Sequence, residues 1–166
     1  LLILSTLLLL FIASACEDRR ADKAYLRGDY DKARTDIEFL AKGGEPRAQY
    51  DLGLMYDQGQ GVQQSDKKAM EWYERAAQQE EPRAQYNLGL MYLNGQGVSP
   101  DLVKAYYWIS LSANRGNVHA RDARDYVSGK MSGEQLADAK RLIKAYEEQS
   151  AQRKACVFCN RAKPSY

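Results

Sequence analysis

The chain has 166 residues, 45% of them hydrophobic, which suits one domain with a packed core. Its formal charge of +2, with Lys and Arg interspersed among Asp and Glu along nearly every segment, reads as solvated helix faces and argues against a nucleic-acid surface. Tyrosines outnumber phenylalanines 12 to 3, a bias that suits half-buried helical faces with a polar tip.

Residues 1–13 are almost wholly apolar and uncharged, and they run into Ala13-Ser14-Ala15-Cys16. Such a stretch is too short to span a bilayer comfortably, but it fits the core of a secretory signal, with small residues where signal peptidase seats the backbone. No Met or basic leader precedes it, so residues 1–15 read as the later part of a signal peptide; a buried first helix is the alternative. Small residues followed by Cys resemble the lipobox of bacterial lipoproteins. That resemblance implies diacylation of Cys16 and attachment to the membrane through its lipid chains. Ala13 stands where the pattern prefers Leu or Val, and cleavage after Ala15 to a soluble periplasmic protein is the competing reading. Glu17 after the Cys leans toward the outer membrane.

Further along, the block Pro46-Arg47-Ala48-Gln49-Tyr50-Asp51-Leu52-Gly53-Leu54-Met55-Tyr56 returns 36 residues later, from Pro82 to Tyr92, with Asn87 in place of Asp51. Gly59-Gln60-Gly61-Val62 returns as Gly95-Gln96-Gly97-Val98, and Ala33, Ala69 and Ala105, like Trp72 and Trp108, keep the same spacing. Each unit reads as two helices. Pro46 and Pro82 suit a first helical turn, where a missing N–H costs nothing. Ala48, Leu52 and Tyr56, and their counterparts Ala84, Leu88 and Tyr92, form one apolar stripe at i, i+4, i+8. A glycine repeated inside that helix, Gly53 and Gly89, predicts a neighbouring helix passing too close for a Cβ. The paired glycines after it supply the positive φ angles of a tight connection. Ser65-Asp66 and Ser99-Pro100 read as caps of the second helices. The faces that follow carry Ala69, Trp72, Tyr73 and Ala76, then Ala105, Trp108, Ile109 and Ser112, with both Trp residues expected in the core.

Leu-Gly-x-x-Tyr, Gly-x-Gly-Val and Ala-x-x-Trp at this period resemble the Sel-one-like repeat, a branch of the tetratricopeptide superfamily. The resemblance covers 46–81 and 82–117. It implies an all-α, right-handed superhelical solenoid of helix-turn-helix repeats. Gly28-Asp29-Tyr30-Asp31-Lys32-Ala33 resembles part of a plain tetratricopeptide unit, so 16–45 reads as a first repeat. Ala120 keeps the phase, but Arg124 and Asp125 replace Leu and Gly, so 118–149 reads as divergent capping helices. Ser132-Gly133-Glu134-Gln135 is a capping box for the last of them, whose apolar side carries Leu136, Ala139, Leu142, Ile143 and Tyr146. Residues 150–166 read as a flexible basic tail.

By the same resemblance, residues just off the packing stripe point into a concave groove that takes a partner peptide or loop. These are Arg47, Tyr50, Leu54, Asp57 and Gln58 in one repeat, and Arg83, Tyr86, Leu90, Leu93 and Asn94 in the next. The repeated Arg/Tyr pairs offer guanidinium forks beside aromatic area, which suits an acidic segment; plain solvated positions are the alternative. The lone His119 has no ligand-spaced Cys or His beside it, so no metal is expected, and the Gly-rich loops lack the strand and Lys of a phosphate cradle. Cys156 and Cys159 supply two of the four ligands of a structural zinc site. A local disulfide is expected in an oxidising compartment, with redox activity, metal binding or a link to a partner as alternatives. The function expected is a non-enzymatic, cofactor-free, monomeric scaffold of the bacterial cell envelope that docks another envelope protein. A soluble periplasmic regulator of a sensor, or a thiol–disulfide or hydrolytic enzyme on a repeat scaffold, is the alternative.

Overall fold

Pro46 and Pro82 each open a helix, and the carboxylates of Glu45 and Glu81 just before them accept the backbone N–H of Arg47 and Arg83. Both helices end on a left-handed glycine, Gly59 and Gly95, whose N–H returns to Met55 and Met91. The computed structural model describes residues 30–161, where all regular structure is helical. The helices are α1 (Tyr30–Lys42), α2 (Pro46–Gln58), α3 (Asp66–Gln78), α4 (Pro82–Asn94), α5 (Leu102–Asn114), α6 (Val118–Ser128) and α7 (Gly133–Arg161). Each helix from α1 to α5 packs on the next, as short connections favour, giving an all-α repeat solenoid. The helix α7 packs mainly on α5. No helix among the described residues is long and apolar enough to cross a membrane.

The apolar stripe of the repeat becomes the core. Ala48 and Leu52, like Ala84 and Leu88, are buried, and each fully buried Leu contributes about 1.5–3 kcal/mol. One cluster gathers Tyr73, Leu88, Met91, Ile109 and Val127 along α3 to α6; a smaller one joins Ile37 and Leu40 to Leu52 and Met55, and Tyr56 packs against both. Gly53 and Gly89 mark the crossings within each repeat, as expected. A Cβ on Gly89 would lie 2.5 Å from Ile109 Cγ1, and one on Gly53 2.6 Å from the Tyr73 ring.

Four expectations need correction. Asp101, not Ser99, caps α5: its carboxylate accepts the Lys104 N–H at 3.0 Å, and it stands 36 residues after Ser65, which caps α3 in the same way. Trp72 and Trp108 are only half-buried, because Tyr73 and Ile109, one residue on, take the innermost places. Leu142 is 51% exposed, at the edge of the α7 packing face rather than on it. The chain does not leave helical conformation at residue 150, because Ser150 and Lys154 tie α7 to Glu80 and the helix runs on to Arg161. The capping box is formed: Gln135 accepts the Ser132 N–H at 2.9 Å and Ser132 Oγ accepts the Gln135 N–H at 3.2 Å.

Candidate protein-binding groove

The shared phase of α2, α4 and α6 places equivalent residues side by side. Glu45, Glu81 and Asn117 are N-caps at the same register, and two residues on stand Arg47, Arg83 and His119. Between these helices lies a cleft of about 530 Å³, walled by Tyr50, Arg83, Tyr86, Asn87, Arg115 and the start of α6 from Asn117 to His119. Tyr50, Arg83 and Tyr86 therefore stand side by side in its lining.

Their state differs from that of free forks. The Arg83 guanidinium lies 4.4 Å from the centroid of the Tyr50 ring, and its Nε donates to Glu81 at 2.7 Å. Burial alone would lower the Arg83 pKa, but the bond and charge of Glu81 outweigh it and hold the group above its ordinary value. Tyr50 sits 5.7 Å from Tyr73, ring centre to ring centre, with the Asn87 amide moderating the effect of burial on both hydroxyls. Burial pushes the Tyr50 hydroxyl up, and drives that of Tyr73 far above the tyrosine range. The result is a pre-ordered aromatic and cationic wall. It is held by contacts within the chain and presents π-faces, amide groups and the outer edge of a guanidinium.

The other expected residues divide. Arg47 lies 3.9 Å from the Asp51 carboxylate, one turn along α2. Asp57 accepts the Tyr73 hydroxyl at 3.4 Å, so it ties α2 to α3; burial, moderated by that bond, raises its carboxyl. Leu54 is half-buried, and Leu90 and Leu93 pack against the main core. Gln58 and Asn94 are exposed at the helix ends, and Asn94 reaches only Gln96, at 3.5 Å. None of these seven lines the cleft. Conversely Asn87, Arg115, Asn117, Val118 and His119 line it without having been expected there. The 36-residue phase carried the signal for the last of these, since His119 follows Arg83 by that interval. Cys16 lies outside the described residues, and the Cys156 and Cys159 side chains lie outside those described within α7.

A model of the Sel1 repeat family matches residues 46–80 and 82–117. Among solved structures, the chain is similar to a protective antigen of uropathogenic Escherichia coli strains that displays an SLR fold. The identity is 28% and the TM-score 0.78, over 92% of this chain and 33% of that one. It is also similar to a Sel1 repeat protein from Oxalobacter formigenes, with 32% identity and a TM-score of 0.64 over 67% of this chain and 46% of that one. The chain thus spans a third to under a half of the length of these two relatives. No curated protein matches it. With two Sel1 repeats in an all-helical solenoid shared with SLR-fold proteins, the chain belongs to the Sel1-like repeat family.

Proposed function

We propose that the protein is a non-catalytic scaffold of the bacterial cell envelope that docks a peptide or extended loop of another envelope protein in its groove. Sel1 repeat proteins generally mediate protein–protein interaction, and the SLR fold is typically a scaffold rather than an enzyme. The observation that carries the reading is the cleft of about 530 Å³, whose Tyr50, Arg83 and Tyr86 come from repeating positions and whose Arg83 and Tyr50 side chains are held against each other by contacts within the chain. A pre-ordered wall of this kind loses little side-chain entropy on binding. Tyr and Arg are also the residues that most often dominate contact energies.

The test places a photo-crosslinking amino acid at Tyr86 in the groove or at exposed Lys67 on α3, in cells. A discrete adduct from position 86, absent at 67 and lost when Arg83→Glu is added, supports groove docking. Equal adducts at both positions move binding off the groove.

The envelope location rests on the sequence of residues 1–16. We place the protein on the periplasmic side of a membrane, as a monomer held by lipid on Cys16, with soluble secretion after Ala15 as the second reading. Partition into a detergent phase that is lost in Cys16→Ser supports the anchor; partition unchanged by the substitution removes it.

A further inference from the structure

Glu80 has a positive φ of 68°, in a connection whose counterparts 36 residues to either side are Gly44, at 95°, and Gly116, at 91°. A side chain is disfavoured there, and two of three equivalent connections avoid it. What Glu80 gains is a set of three partners. Arg115 lies 3.0 Å from one carboxylate oxygen, Lys154 lies 2.9 Å from the other, and the Ser150 hydroxyl donates to the first. Two of these partners belong to α7, seventy and more residues away.

The packing face of α7 explains the reach. Leu136, Ala139 and Ile143 follow one another at helical spacing against the core, and Tyr146 meets the Tyr107 ring edge-on; the same face then continues as Ser150 and Lys154, where it meets Glu80. Up to Tyr146 the helix is held by apolar burial. Beyond it the ties are polar: Glu147 accepts from Asn114 at 2.8 Å, and Ser150 and Lys154 bind Glu80. Beside this part lies an open cleft of about 570 Å³, lined by Glu80, Arg115, Ser150 and Lys154 among others. A segment with polar ties and little apolar contact opens at a lower free energy than the core it rests on.

We propose that α7 from Glu147 onward is a latch that closes on Glu80, and that the same carboxylate fixes Arg115 on the wall of the groove. Arg115 lines both cavities, with one guanidinium nitrogen on Glu80 and the other 3.2 Å from the Leu111 carbonyl. An acidic group in the groove that draws Arg115 away weakens the hold on Glu80, and opening of the latch loosens Glu80 under Arg115. Latch and groove are thereby coupled in both directions. The latch stands on the packing of α7 alone, whereas its influence on binding rests on the groove reading.

Hydrogen exchange of the full chain tests both parts without a partner. Glu80→Gly suits the backbone conformation and removes the carboxylate; Ser150→Ala/Lys154→Ala leaves Glu80 and Arg115 in place. Circular dichroism verifies that each variant stays helical. In both variants the amides of 147–155 are expected to exchange about tenfold faster or more, while those of α2 to α4 hold their protection. In Glu80→Gly the amides of 116–120 at the groove rim also exchange faster, and in the double variant, where Glu80 keeps Arg115 but loses its ties to α7, they follow to a smaller degree. Unchanged protection of 147–155 in either variant overturns the latch. A released latch with an unchanged 116–120 in Glu80→Gly overturns the link to Arg115. Neither result bears on whether the groove binds a partner, which the crosslinking experiment decides separately.

Discussion

The two Sel1 repeats share a backbone and differ at the junctions that join them to their neighbours. At the first junction Gln49 is buried, its amide donating to the Ala41 carbonyl at 3.1 Å. Gln79 then closes over it, donating at 2.8 Å to Gln49 and at 3.0 Å to the Gly44 carbonyl. At the second, Gln85 makes the equivalent bond to the Ala77 carbonyl at 3.1 Å, but Arg115 stands where Gln79 stood and turns to Glu80. The side-chain carbonyl of Gln85 is left buried without a partner. Part of the local hydrogen bonding is given up at the second junction, and a contact to α7 is gained. A repeat can therefore keep its helix geometry while its connecting residues are reassigned to a neighbour that lies outside the two matched repeats.

The largest effect that distinguishes the repeats lies at the helix crossings. A Cβ at Gly89 meets Ile109 Cγ1 at 2.5 Å and the backbone of Ala105 and Ile109 at 3.1 Å, and backbone has little room to yield. A Cβ at Gly53 meets the Tyr73 ring at 2.6 and 2.7 Å but backbone, at the Ala69 carbonyl, only at 3.3 Å, so its close clash is with a side chain alone. Overpacking a core costs about 1–3 kcal/mol. Gly89→Ala is expected near the upper end of that range and Gly53→Ala near the lower, read from urea midpoints at constant m-value. Equal losses would mean that both crossings are equally rigid.

Next in size is a transplant of the first junction into the second. Arg115→Gln alone supplies a donor for Gln85 but strips Glu80 of one partner. Glu80→Gly alone relieves the backbone but leaves Arg115 without its carboxylate. The double variant recreates the glycine and glutamine of the first junction. It is expected to be more stable than the two single losses add up to, by about 1–2 kcal/mol of coupling. Strict additivity in the double-mutant cycle would show that the two residues act independently.

How much of this was legible in the sequence depends on what encodes it. Helix starts, crossing glycines and the two buried stripes follow from a 36-residue phase and local chemistry, and they stand where that phase puts them. The cap of α5 was misread because Ser99-Pro100 matches a local motif, whereas Asp101 holds the phase of Ser65. That Tyr50, Arg83 and Tyr86 are neighbours was legible because their register repeats. His119 was hidden by the loss of Leu and Gly at Arg124 and Asp125, although the cap before it, Asn117, is still in phase. Nothing local marks Glu80 as a contact of Ser150, since a pairing across seventy residues leaves no periodic trace.

The acid limb of stability sharpens the same contrast. The Glu80 carboxyl is held down to about 2, first by the Ser150 hydroxyl, against the opposing effect of burial, and then by Lys154 and Arg115. A carboxyl depressed on folding contributes stability that is fully present above its ordinary value of 4.5 and is lost as pH falls toward 2. Glu80→Gln is therefore expected to trail wild type at pH 7, with the gap in urea midpoint narrowing by pH 3. The first junction has no such group, so Gln79→Ala is expected to cost the same at both pH values.

That last substitution also measures the smallest difference. Gln79→Ala leaves the Gln49 side-chain carbonyl without its donor, which is the state Gln85 already occupies in the second junction. Gln79 is itself exposed, so water reaches one side of the vacated bond, and the expected loss is about 0.5–1 kcal/mol. A loss of that size shows that an unpaired amide at this register is tolerable, which explains how Arg115 is free to serve Glu80. A loss several times larger would mean that the second junction recovers the energy elsewhere, and the contact between Arg115, Glu80 and α7 is the interaction placed to supply it.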